Sequence, residues 1–91
     1  MIIRSQDKLT LINLDNTDSV YYSYLGYGEN RVMASNENTK CSIGKYSSKE
    51  KVIKVLDMIC EWYQYLQECK LGGMGVNKVE FVFQMPQDSE V

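Results

Sequence analysis

The length of 91 residues fits a single domain, and the content of 44% hydrophobic residues is typical of a globular protein. The net charge is −2 and the pI is near 5.0. Lys and Arg are scattered, and the two arginines are Arg4 and Arg31. Binding to duplex nucleic acid is therefore not expected, because many phosphates would have to be neutralised. The absence of His excludes Ser-His and Cys-His nucleophilic catalysis.

The cysteines Cys41, Cys60 and Cys69 are odd in number and widely spaced, with no CxxC pair. This spacing predicts neither a disulfide framework nor a zinc site, and indicates reduced thiols in a cytoplasmic protein. The residues at the N-terminus do not form a hydrophobic signal region, and no apolar run approaches the ~18 residues of a membrane span. We therefore expect neither secretion nor membrane insertion.

The first half of the chain has the composition of β-strands separated by turn-forming residues. Gly28-Glu29 suits a tight hairpin in which Gly28 takes the positive φ of the first central position. The short connections predict an antiparallel meander. The predicted strands cover residues 2–4, 9–14, 19–27, 30–35 and 39–46.

A long helix is predicted next. Ser47 and Glu50 have the spacing of a capping box, and the helix should continue to about Lys70, where Gly72 and Gly73 end it. A last strand, 78–85, alternates apolar and polar residues and is ended by Pro86. We therefore predict an α+β fold with one long helix packed across a curved antiparallel sheet of about five or six strands. Residues 1–86 would form the domain, and residues 87–91 a polar tail.

Four of the seven tyrosines lie between residues 20 and 28. Because a strand directs alternate side chains to opposite faces, Val20, Tyr22 and Tyr24 would face the core. Tyr21 would then line a subunit boundary or stack on a planar ligand. A register shift of one residue would exchange Tyr21 and Tyr22, so the sequence leaves the orientation open.

The predicted helix has more apolar surface than one small sheet needs. At ~100° per residue, one stripe contains Val52, Leu56 and Ile59, and a second contains Val55, Met58, Trp62 and Tyr65. Either a deeply curved sheet covers both stripes, or the second stripe contacts another subunit. Trp, Tyr and Met are enriched in interfaces, so we predict a homodimer or higher homo-oligomer with Val55, Met58, Trp62 and Tyr65 at its interface.

Two polar clusters, residues 4–8 and 84–88, lie near the ends of the chain. They are either turn and solvent-facing residues or the two sides of a small pocket. A pocket requires the first and last strands to be neighbours. In it, Arg4 would bind an anion, Lys8 would add a charge, and Gln6 and Gln84 would read amide or base edges. The candidate ligand contacts are Arg4, Gln6, Lys8, Tyr21, Arg31, Gln84 and Met85. No catalytic, cofactor or metal motif accompanies them, so we do not expect an enzyme.

The segments MIIRSQDK, GKYSSKEKVIKVLDMI and FVFQMPQD resemble a family of small proteins from Firmicutes bacteria, their phages and integrated elements. The resemblance covers both ends and the first half of the helix, whereas residues 16–39 look individual. It implies a cytosolic accessory protein carried by a phage or prophage, and no catalytic residue. By analogy, such proteins act by binding. The expected roles are counter-defence by sequestering a nucleotide signal, or regulation of a host protein through the apolar helix face.

Overall fold

A computed structural model describes residues 1–71 and 82–91 of the chain. Six strands and one α-helix are present in this part, in the order strands, helix, strand, which confirms the α+β class. Short 3₁₀ helices cover Leu14–Asn16 and Asp88–Glu90. The strands are β1 (Ile2–Arg4), β2 (Leu11–Asn13), β3 (Ser19–Tyr24), β4 (Asn30–Ser35), β5 (Lys40–Tyr46) and β6 (Val82–Gln84), and the helix is α1 (Lys49–Leu71).

The described strands form two three-stranded sheets, so the prediction of one antiparallel sheet is wrong. Strands β3, β4 and β5 form the expected antiparallel meander. Strand β1 lies between β2 and β6, antiparallel to the first and parallel to the second. The pairing of β1 with β6 is parallel because the long connection through α1 brings the chain back beside β1 in the same direction. The predicted curvature remains a prediction.

The turn between β3 and β4 lies one residue earlier than predicted. The amide of Glu29 donates to the carbonyl oxygen of Gly26 at 3.0 Å, so Tyr27 and Gly28 are the central residues. Both have positive φ, 55° and 73°, as a type I′ hairpin turn requires. Tyr27 rarely adopts this conformation, which explains why residue preferences placed the turn incorrectly.

The first turn of α1 is capped by Ser48 and not by Ser47. The Ser48 hydroxyl accepts a hydrogen bond from the amide of Lys51 at 3.3 Å. The amide of Ser47 instead donates to the carboxylate of Asp88 at 2.8 Å. The predicted helix stop at Gly72 and Gly73, and the first part of the predicted last strand, lie outside the described residues.

Both sheets and α1 contribute to one hydrophobic core. Ile3 and Phe83 enter it from the first sheet, and Val32 enters it from the second. Val20 and Tyr22 pack against it, as predicted for their face of β3, whereas Tyr24 is 58% exposed. The helix contributes Val52, Val55 and Ile59, all buried.

Candidate functional site

The first and last strands are neighbours, which the predicted pocket required. In the parallel pair of β1 and β6, Arg4 is in register with Gln84, and on the other side of β1 it is in register with Leu11. All three side chains are exposed, whereas Ile3 and Phe83 point into the core. Arg4 therefore lies in the middle of the outer face of this sheet, between an apolar and an amide side chain.

Gln6 has a structural role that sequence reasoning missed. Its side-chain oxygen accepts from the amide of Lys45 at 2.9 Å, and its side-chain nitrogen donates to the Lys45 carbonyl at 3.0 Å. The same nitrogen lies 3.3 Å from the Pro86 carbonyl. Gln6 thus joins the chain after β1 to β5 and has its amide engaged. Met85, another predicted ligand contact, is 0% exposed and belongs to the core.

The structure brings Arg4, Lys8 and Gln84 together at the end of β1. Arg4 donates from Nε to the Lys8 carbonyl at 3.2 Å, and Gln84 donates from Nε2 to the Ser5 carbonyl at 3.0 Å. Lys8 has a φ of 67°, so the loop turns sharply there. Within residues 1–71 and 82–91, no ion pair involves Arg4 or Lys8. Both cations are exposed and could meet an anion.

The loop that carries Lys8 is held by Asp7. Its carboxylate accepts a hydrogen bond from the Ser5 hydroxyl and another, at 2.9 Å, from the amide of Leu9. The Ser5 bond, followed by the Leu9 bond, holds the pKa of Asp7 below its ordinary value. Both donors favour the ionised form, and their hydrogen bonds give Asp7 the role of a turn residue that fixes the loop.

Arg31 and Tyr21 lie on the other sheet. Arg31 donates from Nη2 to Glu29 at 2.8 Å, and the Lys45 ammonium lies 3.3 Å from the same carboxylate. These cations, Arg31 foremost, lower the pKa of Glu29. Tyr21 is in register with Met33 on the outer face of this sheet. In the described residues, no hydrogen bond or ion pair joins Arg31 or Tyr21 to Arg4; a shared ligand site for these candidates stays a prediction.

The second apolar stripe of α1 divides between the core and the surface. Val55 is 0% exposed and packs in the core, so its predicted place at an interface is wrong. Met58, Trp62 and Tyr65 are exposed, and we call them the aromatic face. The rings of Trp62 and Tyr65 meet edge to face, with centroids 5.9 Å apart. Glu61 borders a shallow groove of 270 Å³ with these two rings.

A larger groove, which the sequence analysis did not anticipate, lies between β3 and α1. Its volume is 530 Å³, and we call it the β3–α1 groove. Among the described residues that line it there is no Lys or Arg. The signal in the sequence was Tyr63, a large side chain four residues after Ile59 and therefore on the same helix stripe. In the structure Tyr63 is 43% exposed. The lining residues are Leu14, Asp15, Thr17, Asp18, Ser19, Val20, Ile59, Cys60, Tyr63 and Gln64.

Within residues 1–71 and 82–91, no three Cys, Asp or Glu side chains converge on a point where they could hold a metal ion. In the same part of the chain, no helix has both the length and the apolar composition of a membrane span. Comparisons with protein-family models, curated proteins and solved structures find no match. The function must therefore be inferred from the surfaces themselves.

Proposed function

We propose that this protein is a non-enzymatic accessory protein of phages or mobile elements that regulates a host protein by binding it through the aromatic face of α1. The observation that carries the proposal is the exposure of Trp62 (41%) and Tyr65 (51%) beside the buried Val55 and Ile59. One arc of the helix therefore packs in the core of the domain, and the aromatic face forms a second, exposed arc of large side chains. Trp and Tyr are among the residues that dominate binding energy in interfaces.

Charge along the helix defines the kind of partner. Glu61 borders the aromatic face directly, and the helical step places Asp57 and Glu68 on the same flank. All three carboxylates are exposed, and Lys54 is the cation on this flank. The complementary surface is an apolar cleft with Lys or Arg on its rim, since opposite charges guide association and select the partner.

A paired set of variants tests this surface. Trp62→Glu places a charge in the aromatic face, whereas Ile53→Glu places the same charge at another exposed position (45%) of the same helix. We expect a host protein retained by the immobilised wild type and by Ile53→Glu, and lost with Trp62→Glu. The complex should also weaken with salt and with Glu61→Lys, because the rim contacts are ionic. Equal retention by all variants would contradict the proposal.

A second candidate function is capture of a nucleotide signal at Arg4 and Lys8. It is favoured by one observation: both cations are exposed on the outer side of the β1 region and form no ion pair in the described residues. Cyclic di- and trinucleotides and ADP-ribose derivatives are the probes, read by thermal shift. At a hundredfold excess over Kd, binding stabilises the fold by ~2.7 kcal/mol.

Arg4→Ala should abolish such a shift, and Arg31→Ala should preserve it because Arg31 is already paired with Glu29. Absence of a shift for every probe, with the wild type correctly folded, would remove this candidate. It would leave the aromatic face as the functional surface, because the two proposals depend on different residues.

A further inference from the structure

Strand β3 lies at an open edge of its sheet. The strand order β3-β4-β5 leaves one side of β3 without a neighbouring strand in the described residues. Its six residues, SVYYSY, contain no charge and no proline, and they pair with β4 without a bulge. Natural proteins protect edge strands with Lys, Pro, bulges or very short length, and β3 has none of these devices. An edge of this kind is suited to adding another strand.

On one face of β3, the Tyr24 side chain projects outward at one end of the strand, and the β3–α1 groove lies at the other end. Val20 and Tyr24 are four residues apart and point to the same side of the strand. Tyr24 is 58% exposed, whereas Val20 lines the β3–α1 groove. An antiparallel partner strand centred on Tyr22 would place its own residue 24 opposite Val20. A second copy of β3 therefore matches this edge in shape.

We propose that two copies of the chain pair through β3, antiparallel and about a two-fold axis at Tyr22, with each Tyr24 entering the β3–α1 groove of the other copy. The two three-stranded meanders become one six-stranded sheet. Two-fold symmetry is the commonest arrangement of homo-oligomers, and it makes the contact self-complementary. The six residues of β3 are uncharged, so the directly opposite pairs of the new ladder bring no like charges together, and the Lys49 ammonium of each copy lies 5.3 Å from the ring centroid of its own Tyr22.

The groove has the chemistry to receive a tyrosine. Val20, Ile59 and Tyr63 provide apolar and aromatic surface for the ring. Asp15 and Asp18 line the same groove and offer carboxylate acceptors for the phenol hydroxyl. Its volume of 530 Å³ is larger than one aromatic side chain. Burial of each Tyr24 ring adds apolar contact to the main-chain hydrogen bonds between the strands.

The mass of the purified full chain in solution, measured by light scattering over a concentration series, tests the proposal. The wild type should have twice the 10.5 kDa mass of one chain. Tyr24→Glu should be a folded monomer, because the new charge would enter a groove lined by Asp15 and Asp18. The matched control is Tyr27→Glu, which adds the same charge to the turn at a side chain that is already fully exposed. This control should remain a dimer.

Amide hydrogen exchange gives a second measurement that does not depend on a variant. The outward-facing amides of β3 should exchange slowly at high protein concentration and faster on dilution, while the amides of β5 should not change in this way. A wild type with the mass of one chain at every concentration overturns the proposal. So does a dimer that Tyr24→Glu leaves intact, or protection of β3 that does not depend on concentration.

Discussion

The hydroxyl of Tyr46 donates a 2.7 Å hydrogen bond to the carbonyl oxygen of Pro86, which joins the end of β5 to the segment after β6. Tyr46 is 2% exposed. Burial, with smaller contributions from Asp88 and Glu90, raises the pKa of Tyr46 far above its ordinary value. The hydroxyl therefore stays protonated and remains a donor throughout the neutral range. This bond connects parts of the chain that are 40 residues apart.

Tyr46→Phe should remove this bond while keeping the ring in the core. We expect the free energy of unfolding to fall by about 1–2 kcal/mol, because a buried bond is lost and the Pro86 carbonyl keeps only its weaker bond from Gln6. Urea unfolding at neutral pH measures the change. Tyr27→Phe is the control, since the Tyr27 side chain is fully exposed and should not alter stability. An unchanged midpoint for Tyr46→Phe would contradict the assigned role.

Gly44 is required by the space around it. A Cβ at this position would lie 2.8 Å from Cε2 of Tyr46 and 3.1 Å from Cε of Met85, and both side chains are buried in the core. Gly44→Ala should therefore destabilise the protein by about 1–3 kcal/mol through overpacking. This is the opposite of the usual effect, because alanine is normally more stable than glycine inside a strand.

Thermal unfolding measures the effect, and Gly44→Ala combined with Met85→Ala separates its causes. If crowding is responsible, the double variant should lose less stability than the sum of the two single variants, because the shortened Met85 no longer crowds the new methyl group. Simple additivity would show that Met85 contributes little and that the closer Tyr46 ring causes the crowding, whereas wild-type stability of Gly44→Ala would contradict the crowding argument.

Local pattern predicted the elements of this fold well, because the signals for strands and the helix are short-range. Strands β1 and β4 cover the expected residues and α1 begins close to its predicted start, whereas β2 and β3 are shorter than predicted. The division into two sheets was not predictable in the same way. The division into two sheets depends on the pairing of Ile3 with Phe83, which lies eighty residues later in the chain. It also depends on the Gln6 side-chain amide, which hydrogen-bonds both β5 and the Pro86 carbonyl. Neither contact has a signature in a single sequence.

The candidate site shows the same limit. The neighbourhood of Arg4 and Gln84 followed from assuming that the terminal strands pair, and the structure brings these residues together. Polarity alone could not reveal that Gln6 is engaged in structural hydrogen bonds, since an exposed and a bridging glutamine look identical in sequence. Val55 and Met58 share one helix stripe, and only the position of the sheet decides which of them is covered.

The ionised Asp88 should stabilise the fold above its pKa. Its carboxylate accepts from the amide of Ser47 at 2.8 Å, the largest cause of its lowered pKa, and lies 3.5 Å from the Lys51 ammonium. Because the folded-state pKa is below the unfolded value, near 3.9, this contribution is complete above that value and is lost as the pH falls through the folded pKa. We therefore expect Asp88→Asn to be less stable than the wild type at pH 7.

Urea unfolding of both proteins at several pH values tests the linkage. The stability difference between them should shrink as the solution is acidified below the unfolded pKa of Asp88. Asp57→Asn, on the exposed surface of α1, is the control and should differ little from the wild type at pH 7. A difference for Asp88→Asn that stays constant across this range would show that the charge is not responsible.

The boundary between the core and the aromatic face of α1 predicts different stability losses for Val55→Ala and Met58→Ala. Val55→Ala removes two methyl groups from a residue that is 0% exposed, so unfolding should become easier by about 2–3 kcal/mol from lost transfer energy and the cavity left behind. Met58→Ala removes a larger side chain that is 36% exposed, and it should cost only about 0.5 kcal/mol. Denaturant unfolding of the two variants gives both values. If Met58→Ala proves as costly as Val55→Ala, then Met58 belongs to the core, and the surface proposed for partner binding would be reduced to Trp62 and Tyr65.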